Sequence, residues 1–247
     1  MKTIAIANQK GGTAKTTSTA ALGVQLGRLG VRTHLIDMDP QADLSAAFGL
    51  FDDSDALFRA LEQQSPLPIV DVAENLTISP SNLELLRAET EFLSRPSREF
   101  VLKTSIDKSD FADVRIVLID CPPSLGVLSV AALVAANGLC VVVQPGGFEL
   151  QTLVHLNQTA DLLRQYVNPD LGSVGAIVTN SHRRRAITQQ VAVELQTQYD
   201  ILGTIRSDAS LLYATTAGRI HHLRRSNAMD DYELAAKRIL DWASHDE

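Results

Sequence analysis

Short runs of five to seven apolar residues alternate along the chain with stretches in which apolar residues recur at helical spacing. Uninterrupted apolar runs are typical of strands buried on both faces, and residues three and four positions apart share one helix face. Strands are predicted at residues 3–8, 31–37, 76–79, 114–120, 139–143, 173–179 and 201–205. Helices are predicted at residues 18–29, 56–63, 83–93, 98–106, 125–136, 149–166, 186–199 and 231–242. The alternation predicts an α/β fold, in which a mostly parallel, twisted sheet carries helices on both faces.

Polar residues follow three of the predicted strands. A loop over residues 9–17 follows the first strand, Asp37 and Asp39 follow the second, and Asp120 ends the strand at 114–120. Ligands of open α/β sheets bind at the carboxyl ends of the strands. These side chains are therefore expected to converge on one site.

The loop reads Q-K-G-G-T-A-K-T-T and leads directly into a predicted helix. Glycines let backbone N–H groups turn towards phosphate oxygens, a lysine adds positive charge, and a hydroxyl can reach Mg²⁺. Lys15 is the expected phosphate lysine and Thr16 the expected Mg²⁺ ligand. Gln9 and Ala14 stand where the common phosphate-loop pattern has glycine. A Cβ at Ala14 can force the loop away from glycine geometry, and ATP affinity is expected to be retained but altered.

Lys10 is a second lysine, five residues before Lys15, at the mouth of the loop. From this position its side chain cannot easily fold back onto phosphates beside Lys15. It is better placed to reach a nucleotide held by a facing subunit. The loop is therefore expected to be one half of a composite site.

The composition fits one large α/β domain spanning residues 1–247, with 45% hydrophobic and 21% charged residues. No apolar run approaches the roughly 18 residues of a membrane span, and the start of the chain does not resemble a signal peptide. Cys121 and Cys140 are too few for a disulfide framework or a zinc cluster, and both are expected in the core. A cytoplasmic location is expected.

Positive charge is concentrated in residues 181–225, although the net charge of the chain is −7. This segment contains seven arginines and three carboxylates, so its net charge is +4. The net charge of the other residues is therefore −11. A basic patch on an acidic protein suggests an anionic partner, but a solvated arginine-rich face is the alternative. His221 and His222 are expected to point apart and to face solvent or DNA.

Four segments, in order, resemble motifs of the ParA/MinD family of ATPases. K-G-G-T-A-K-T-T (10–17) looks like the deviant Walker A loop, and I-D-M-D-P-Q-A-D-L-S (36–45) is similar to the Walker A′ segment. V-L-I-D-C-P-P-S-L-G (117–126) looks like Walker B, and residues 78–93 resemble the stretch that precedes it. The match covers most of the chain and is strongest to the ParA/Soj partition ATPases.

The resemblance implies a role for each matching residue. Lys10, Lys15 and Asp39 would be catalytic, with Lys10 reaching ATP across a homodimer and Asp39 positioning the attacking water. Mg²⁺ would be held at Thr16, Asp37 and Asp120. The nucleotide-binding residues would be Lys10, Gly11, Gly12, Thr13, Ala14, Lys15, Thr16, Thr17 and Asn180. Asp39 could instead be a helix N-cap, and Asn180 could simply form a turn.

The resemblance also implies non-specific DNA as a partner. Residues 179–191 resemble the segment whose arginine contacts DNA, and Arg184 falls at that position. The other candidates for DNA contact are Arg183, Arg185, Arg219, Arg224 and Arg225. Residues 206–215 depart from the family pattern, with Ser210 and Tyr213 replacing the usual arginine and glutamate.

The implied function is a weak ATPase that segregates or positions a plasmid, a chromosome or an organelle. ATP-bound dimers would coat the nucleoid, and a ParB-like adaptor would stimulate hydrolysis. Three alternatives stay open: a MinD-like membrane switch, a relative of the nitrogenase iron protein, and a nucleotide-binding scaffold with little turnover. The C-terminal residues are acidic, which disfavours binding to anionic lipid.

Overall fold

A computed structural model describes residues 1–51, 54–145, 149–181 and 193–244, without the side chains of residues 149–152, 180 and 181. Within these residues the chain forms one eight-stranded sheet in the order β3-β4-β2-β5-β1-β6-β7-β8. The strands are β1 Lys2–Ala7, β2 Thr33–Asp37, β3 Val70–Ala73, β4 Leu76–Ser79, β5 Ile116–Asp120, β6 Gly138–Val143, β7 Gly172–Ser181 and β8 Ile201–Arg206. Every pairing is parallel except that of β3 with β4. The prediction of a mostly parallel sheet is confirmed.

The first seven of the described helices lie between strands in the sequence, and the last two follow β8. They are α1 Lys15–Arg28, α2 Asp43–Ala47, α3 Ala56–Gln63, α4 Ala88–Glu91, α5 Val101–Lys108, α6 Val127–Ala135, α7 Glu149–Tyr166, α8 Ala209–Thr216 and α9 Asn227–Ser244. Three 3₁₀ turns accompany them, at Leu83–Arg87, Arg98–Phe100 and Ile220–His222. The predicted helix at 186–199 lies mostly outside the described residues. No helix that the structure describes is long and apolar enough to cross a membrane.

Two separate apolar clusters cover the faces of the sheet. Ile4 and Ile6 belong to the cluster packed under α1, α2, α8 and α9, whereas Ala5 and Ala7 belong to the one packed under α3, α5, α6 and α7. The division follows from the pleat, because successive side chains of a strand point to opposite faces. The expectation of helices on both faces is confirmed.

The topology places a crevice at the carboxyl end of β1. This strand lies between β5 and β6, and the chain leaves it towards β2 on one side and later reaches β6 on the other. The connections on the two sides diverge at such a point, so a ligand can enter between them. Asp37 and Asp120 are direct neighbours across β2 and β5 at the same edge.

Candidate nucleotide and magnesium site

The loop between β1 and α1 is anchored by polar side chains. The Asn8 side-chain amide donates a hydrogen bond to the Val142 carbonyl (2.7 Å), and its oxygen accepts one from the Lys10 N–H (2.9 Å). The Thr179 hydroxyl donates to the Thr13 carbonyl (2.8 Å). Val142 lies on β6 and Thr179 on β7. The strands beyond β1 therefore hold the loop at the carboxyl edge of the sheet.

The loop keeps a glycine-type conformation despite its alanine. Ala14 is the N-cap of α1 and lies in the left-handed region, with φ 67° and ψ 31°, and Gly12 has φ 75°. A Cβ built on Gly11 or Gly12 would meet no heavy atom of the described residues within 4 Å, so the loop is open on that side. The expectation that Ala14 would shift the loop away from glycine geometry is therefore wrong. The alanine adopts this geometry at a cost of about 1–2 kcal/mol.

Lys15 and Thr16 open α1 beside two carboxylates. Lys15 is 7% exposed. Burial raises the pKa of both Asp39 and Asp120, and the Lys15 charge opposes the shift in each. The hydroxyls of Thr16 and Thr19 also lower the pKa of Asp120. The lysine, the hydroxyl and both carboxylates therefore share one electrostatic environment.

Asp37 and Asp120 are both fully buried at neighbouring strand ends. Burial raises the pKa of Asp37, and the charge of Asp120 raises it further. Ser45 donates to Asp37 Oδ2 from its N–H (2.9 Å) and from its hydroxyl (2.7 Å), and the Asp39 N–H donates to Oδ1 (3.2 Å). Both oxygens of Asp37 are thus engaged with protein groups. The carboxylate anchors α2, and the predicted role as a metal ligand is better suited to Asp120.

Asp120 has one oxygen that fits a cation. The Thr19 hydroxyl donates to its Oδ1 (3.1 Å), whereas Oδ2 is buried and has no hydrogen-bond partner among the described residues. Burying a carboxylate oxygen without a hydrogen bond or a cation lowers the stability of the folded state. Mg²⁺ prefers oxygen ligands and usually keeps waters and substrate phosphates as most of its shell. Thr16 and Asp120 fit such a site.

A magnesium site of this kind needs few protein ligands. Within the described ranges, no group of three or more histidine, cysteine, aspartate or glutamate side chains is suited to holding a metal ion. The remaining ligand positions would belong to phosphate oxygens and water.

Asp39 lies at the rim of the site. It is partly buried, and its Oδ1 accepts from the Gln41 N–H (3.0 Å). The N-cap of α2 is Ala42, not Asp39. The alternative reading of Asp39 as a helix N-cap is therefore wrong. This turn engages Oδ1 of the carboxylate.

The segment after Asp120 is held by residues that the motifs did not single out. Glu89 on α4 accepts from the N–H groups of Val127 (2.9 Å) and Leu128 (3.3 Å) and so caps α6. A Cβ on Gly126 would lie 2.3 Å from the Glu89 carboxylate. Glycine at this position lets the carboxylate reach the helix N-terminus.

The predicted DNA contacts are only partly described. Arg183, Arg184 and Arg185 lie outside the described residues, and Asn180 is described only as backbone at the end of β7. The remaining predicted contacts are all exposed: Arg219, Arg224 and Arg225. The structure therefore places part of the basic segment at the surface.

His221 and His222 were expected to point apart, but their rings lie close together. Their ring centroids are 4.0 Å apart, and His221 also stacks on Phe48 at 5.9 Å. Partial burial, followed by the charge of His222, lowers the pKa of His221. The 3₁₀ turn brings the two histidine rings together, and Phe48 stacks on His221.

Comparison with known proteins identifies the family. A family model described as "AAA domain" matches residues 1–173. The chromosome partitioning protein ParA of Myxococcus xanthus is 35% identical over 198 residues, which cover 78% of this chain and 70% of that protein. The sporulation initiation inhibitor protein Soj of Bacillus subtilis is 33% identical over 202 residues, 79% of each chain. The chain belongs to the ParA/Soj family of P-loop ATPases.

A solved structure resembles this ParA/Soj member over nearly its whole length. The cobyrinic acid a,c-diamide synthase of Mycobacterium smegmatis has a TM-score of 0.80 and 30% identity, covering 99% of this chain and 96% of that chain. It has been crystallised with ADP and magnesium and with an ATP analogue and magnesium. The likeness to this synthase supports the fold and the nucleotide site of the present chain. It does not extend to the synthase reaction.

The two cysteines of this ParA/Soj member are confirmed as buried. Cys121 packs in the apolar cluster on one face of the sheet and Cys140 in the cluster on the other. Two thiols on opposite faces cannot ligate one iron–sulfur cluster. The alternative of an electron-transfer relative therefore loses its candidate ligands.

Proposed function

We propose that this chain is a ParA-like ATPase that positions a plasmid, chromosome or organelle. ATP and Mg²⁺ would bind at the carboxyl ends of β1, β2 and β5, and two ATP-bound chains would pair. The observation that carries the proposal is the convergence of Lys15, Thr16, Asp39 and Asp120 in a member of the ParA/Soj family. The protein would be cytoplasmic and nucleoid-associated.

Each residue of the site has a chemical task in this proposal. Lys15 would hold the β- and γ-phosphates, and the Thr16 hydroxyl and Asp120 Oδ2 would hold the magnesium ion, Asp120 through water. The metal would neutralise charge that develops on the phosphates. Asp39 would orient the attacking water. Burial raises the pKa of Asp39, which makes its carboxylate a stronger base than a fully solvated one.

Lys10 supports a two-chain site. It is exposed, and its backbone N–H is fixed to Asn8 at the foot of the loop. Lys15 is buried beside Asp39 and Asp120 and already supplies the internal cation. A second lysine at the mouth would therefore serve a nucleotide bound by the other chain.

DNA binding would follow from dimerisation. The exposed Arg219, Arg224 and Arg225 belong to a segment of net positive charge in an acidic protein. Pairing two chains would join two such segments on one surface. Contacts to phosphate add through counterion release, so affinity would rise steeply in the dimer. A ParB-like adaptor would then stimulate hydrolysis and release the dimer.

The test compares three lysine variants. Lys15→Ala should abolish ATP binding in calorimetry, whereas Lys10→Ala should bind ATP as a monomer but fail to dimerise with ATPγS in light scattering. Lys103→Ala, on the exposed face of α5, is the matched control and should behave like the wild type. An ATP-dependent dimer of Lys10→Ala with full turnover would disprove the cross-subunit role.

Two other results would replace the proposal itself. Phosphate release that stays undetectable with ATP, Mg²⁺ and non-specific duplex DNA would indicate a nucleotide-binding scaffold. ATP-dependent sedimentation with vesicles of anionic lipid, without DNA binding, would indicate a membrane switch.

A further inference from the structure

The short helix α2 lies between the nucleotide site and the basic segment at residues 219–225. In the middle of this helix, the Ser45 N–H and hydroxyl donate to Asp37 Oδ2 at 2.9 and 2.7 Å. The Ser45 oxygen also accepts from the Ser81 N–H at 2.9 Å. The position of α2 is therefore tied to a carboxylate that is a strand neighbour of Asp120.

The end of α2 touches the turn that precedes Arg219. A Cβ built on Gly218 would lie 2.8 Å from the Cα of Gly49 and 3.0 Å from both the Gly49 nitrogen and the Ala46 carbonyl oxygen. Gly49 and Gly218 have φ values of +76° and +67°. Two backbones are thus in direct contact, without side chains between them. The stacked rings of Phe48 and His221 add a second contact.

The basic segment beyond this turn is held together as a unit. Arg28, at the end of α1, donates hydrogen bonds to the carbonyls of His221 (3.2 Å), Leu223 (2.8 Å) and Arg224 (3.5 Å). Ile220 of the same segment is fully buried. A displacement at Gly218 would therefore move the neighbouring arginines together.

We propose that α2 transmits nucleotide occupancy to the segment at residues 219–225 through the Gly49–Gly218 contact. The inference rests on the proposed function, because it concerns how ATP bound to one chain would affect DNA binding by that same chain. It assigns the coupling to a contact that lies in neither binding site. Coupling of this kind is reciprocal, so DNA would raise ATP affinity by the same factor.

The properties of α2 suit this task. It has five residues, and helices this short are held by their contacts and not by their own stability. Its N-cap is Ala42, whose φ of 57° is unfavourable for alanine. A phosphate and a cation beside Asp37 would change the contacts of its first turn. The Gly49–Gly218 backbone contact at the other end is closely packed, so a movement of α2 would displace Gly218 as well.

The test uses two alanine substitutions at glycines with the same backbone strain. Gly218→Ala places a Cβ against Gly49, whereas Gly30→Ala, at φ +79°, meets no heavy atom of the described residues within 4 Å. The readout is the ratio of DNA affinities with ATPγS and with ADP. Typical coupling factors are about 5–150-fold. Gly218→Ala should lower this ratio several-fold while ATP affinity in the absence of DNA and ATP-dependent dimerisation are retained. Gly30→Ala should keep the wild-type ratio.

The outcomes separate the inference from the proposed function. A wild-type ratio of 1 would overturn the proposed function, because DNA binding would not depend on nucleotide. A large wild-type ratio that Gly218→Ala preserves would overturn the role of α2 alone. If Gly218→Ala unfolds, Phe48→Leu serves instead, since it removes the ring stacked on His221 and keeps an apolar side chain. It should lower the ratio, and an unchanged ratio would again contradict the inference.

Discussion

In the phosphate loop, Ala14 has a backbone conformation that is unfavourable for a residue with a Cβ. It holds a left-handed conformation that costs alanine about 1–2 kcal/mol and glycine almost nothing. We therefore expect Ala14→Gly to raise the free energy of unfolding by about 1 kcal/mol, in urea titrations without nucleotide. The exposed Ala217, with φ −84°, is the control. Glycine there should lower stability slightly, and a destabilised Ala14→Gly variant would contradict the strain.

His34 predicts how stability depends on pH. Its Nδ1 and Nε2 lie 2.8 Å from Thr77 Oγ1 and 2.9 Å from Ser79 Oγ, in the interior. Burial lowers its pKa to about 3. The unfolded chain then binds more protons than the folded one, so stability is full above about pH 6.5 and falls as the pH drops towards 3.

The corresponding measurement is urea unfolding at pH 7 and pH 5. His34 alone should lower the free energy of unfolding by about 2 kcal/mol between these pH values. His34→Gln keeps a polar side chain without this titration and should lose that part of the decrease. His155→Gln, on the exposed surface, should retain it. Equal decreases in wild type and His34→Gln would rule out the buried neutral histidine.

Candidate ligand-binding residues were easier to name from the sequence than the residues that hold them in position. Lys15, Thr16 and Asp120 occupy recognisable positions after buried strands, so their chemistry could be inferred from type and spacing. Thr179, in contrast, supports the loop from 166 positions away. Nothing local marks a threonine for such a contact. Ser45 is closer, but its two bonds to Asp37 depend on the turn that the chain makes at Ala42.

At the scale of elements, the N-terminus of α6 depends on Glu89. Its carboxylate satisfies two N–H groups of the helix and lies at the positive end of the helix dipole. Glu89→Ala should lower the free energy of unfolding by about 1–2 kcal/mol in urea titrations. It should also slow ATP turnover, because α6 carries the segment that follows Asp120.

A control for this prediction lies two residues further along α4. Glu91 forms an exposed i,i+4 ion pair with Arg87 (2.8 Å). Such pairs contribute about 0.3–0.5 kcal/mol, so Glu91→Ala should cost much less than Glu89→Ala. Similar losses for the two variants would contradict the capping role.

The elements that sequence analysis missed are short or half-exposed. β3 has four residues that alternate between partly buried and exposed and pairs only at the edge of the sheet. α2 has five residues, too few to show a helical period. The long, fully buried strands were predicted because burial on both faces leaves an unbroken apolar run in the sequence. An antiparallel edge strand leaves no such run.

At the scale of the molecule, the uneven charge predicts the salt dependence of DNA binding. Each phosphate contact contributes about 0.9 to the slope of log K against log salt. If a dimer binds DNA through both copies of Arg224, Arg224→Ala should reduce the slope by about 1.8, twice the change for a monomer. The measurement is fluorescence anisotropy with ATPγS over a salt series. Arg59→Ala is the control, since Arg59 is exposed but paired with Asp55. An unchanged slope for Arg224→Ala would remove this residue from the DNA surface.

The packing of α1 against α9 joins two segments that are far apart in the sequence. The Ser18 and Tyr232 hydroxyls are 2.8 Å apart, and the Gln25 amide donates to the Met229 carbonyl at 2.6 Å. Ser18 and Tyr232 are separated by 214 positions. At about 5–20 residues per second, a ribosome needs about 10–40 s to make the intervening chain. The phosphate loop is therefore synthesised first, yet the helix behind it gains its full packing only after α9 has been made.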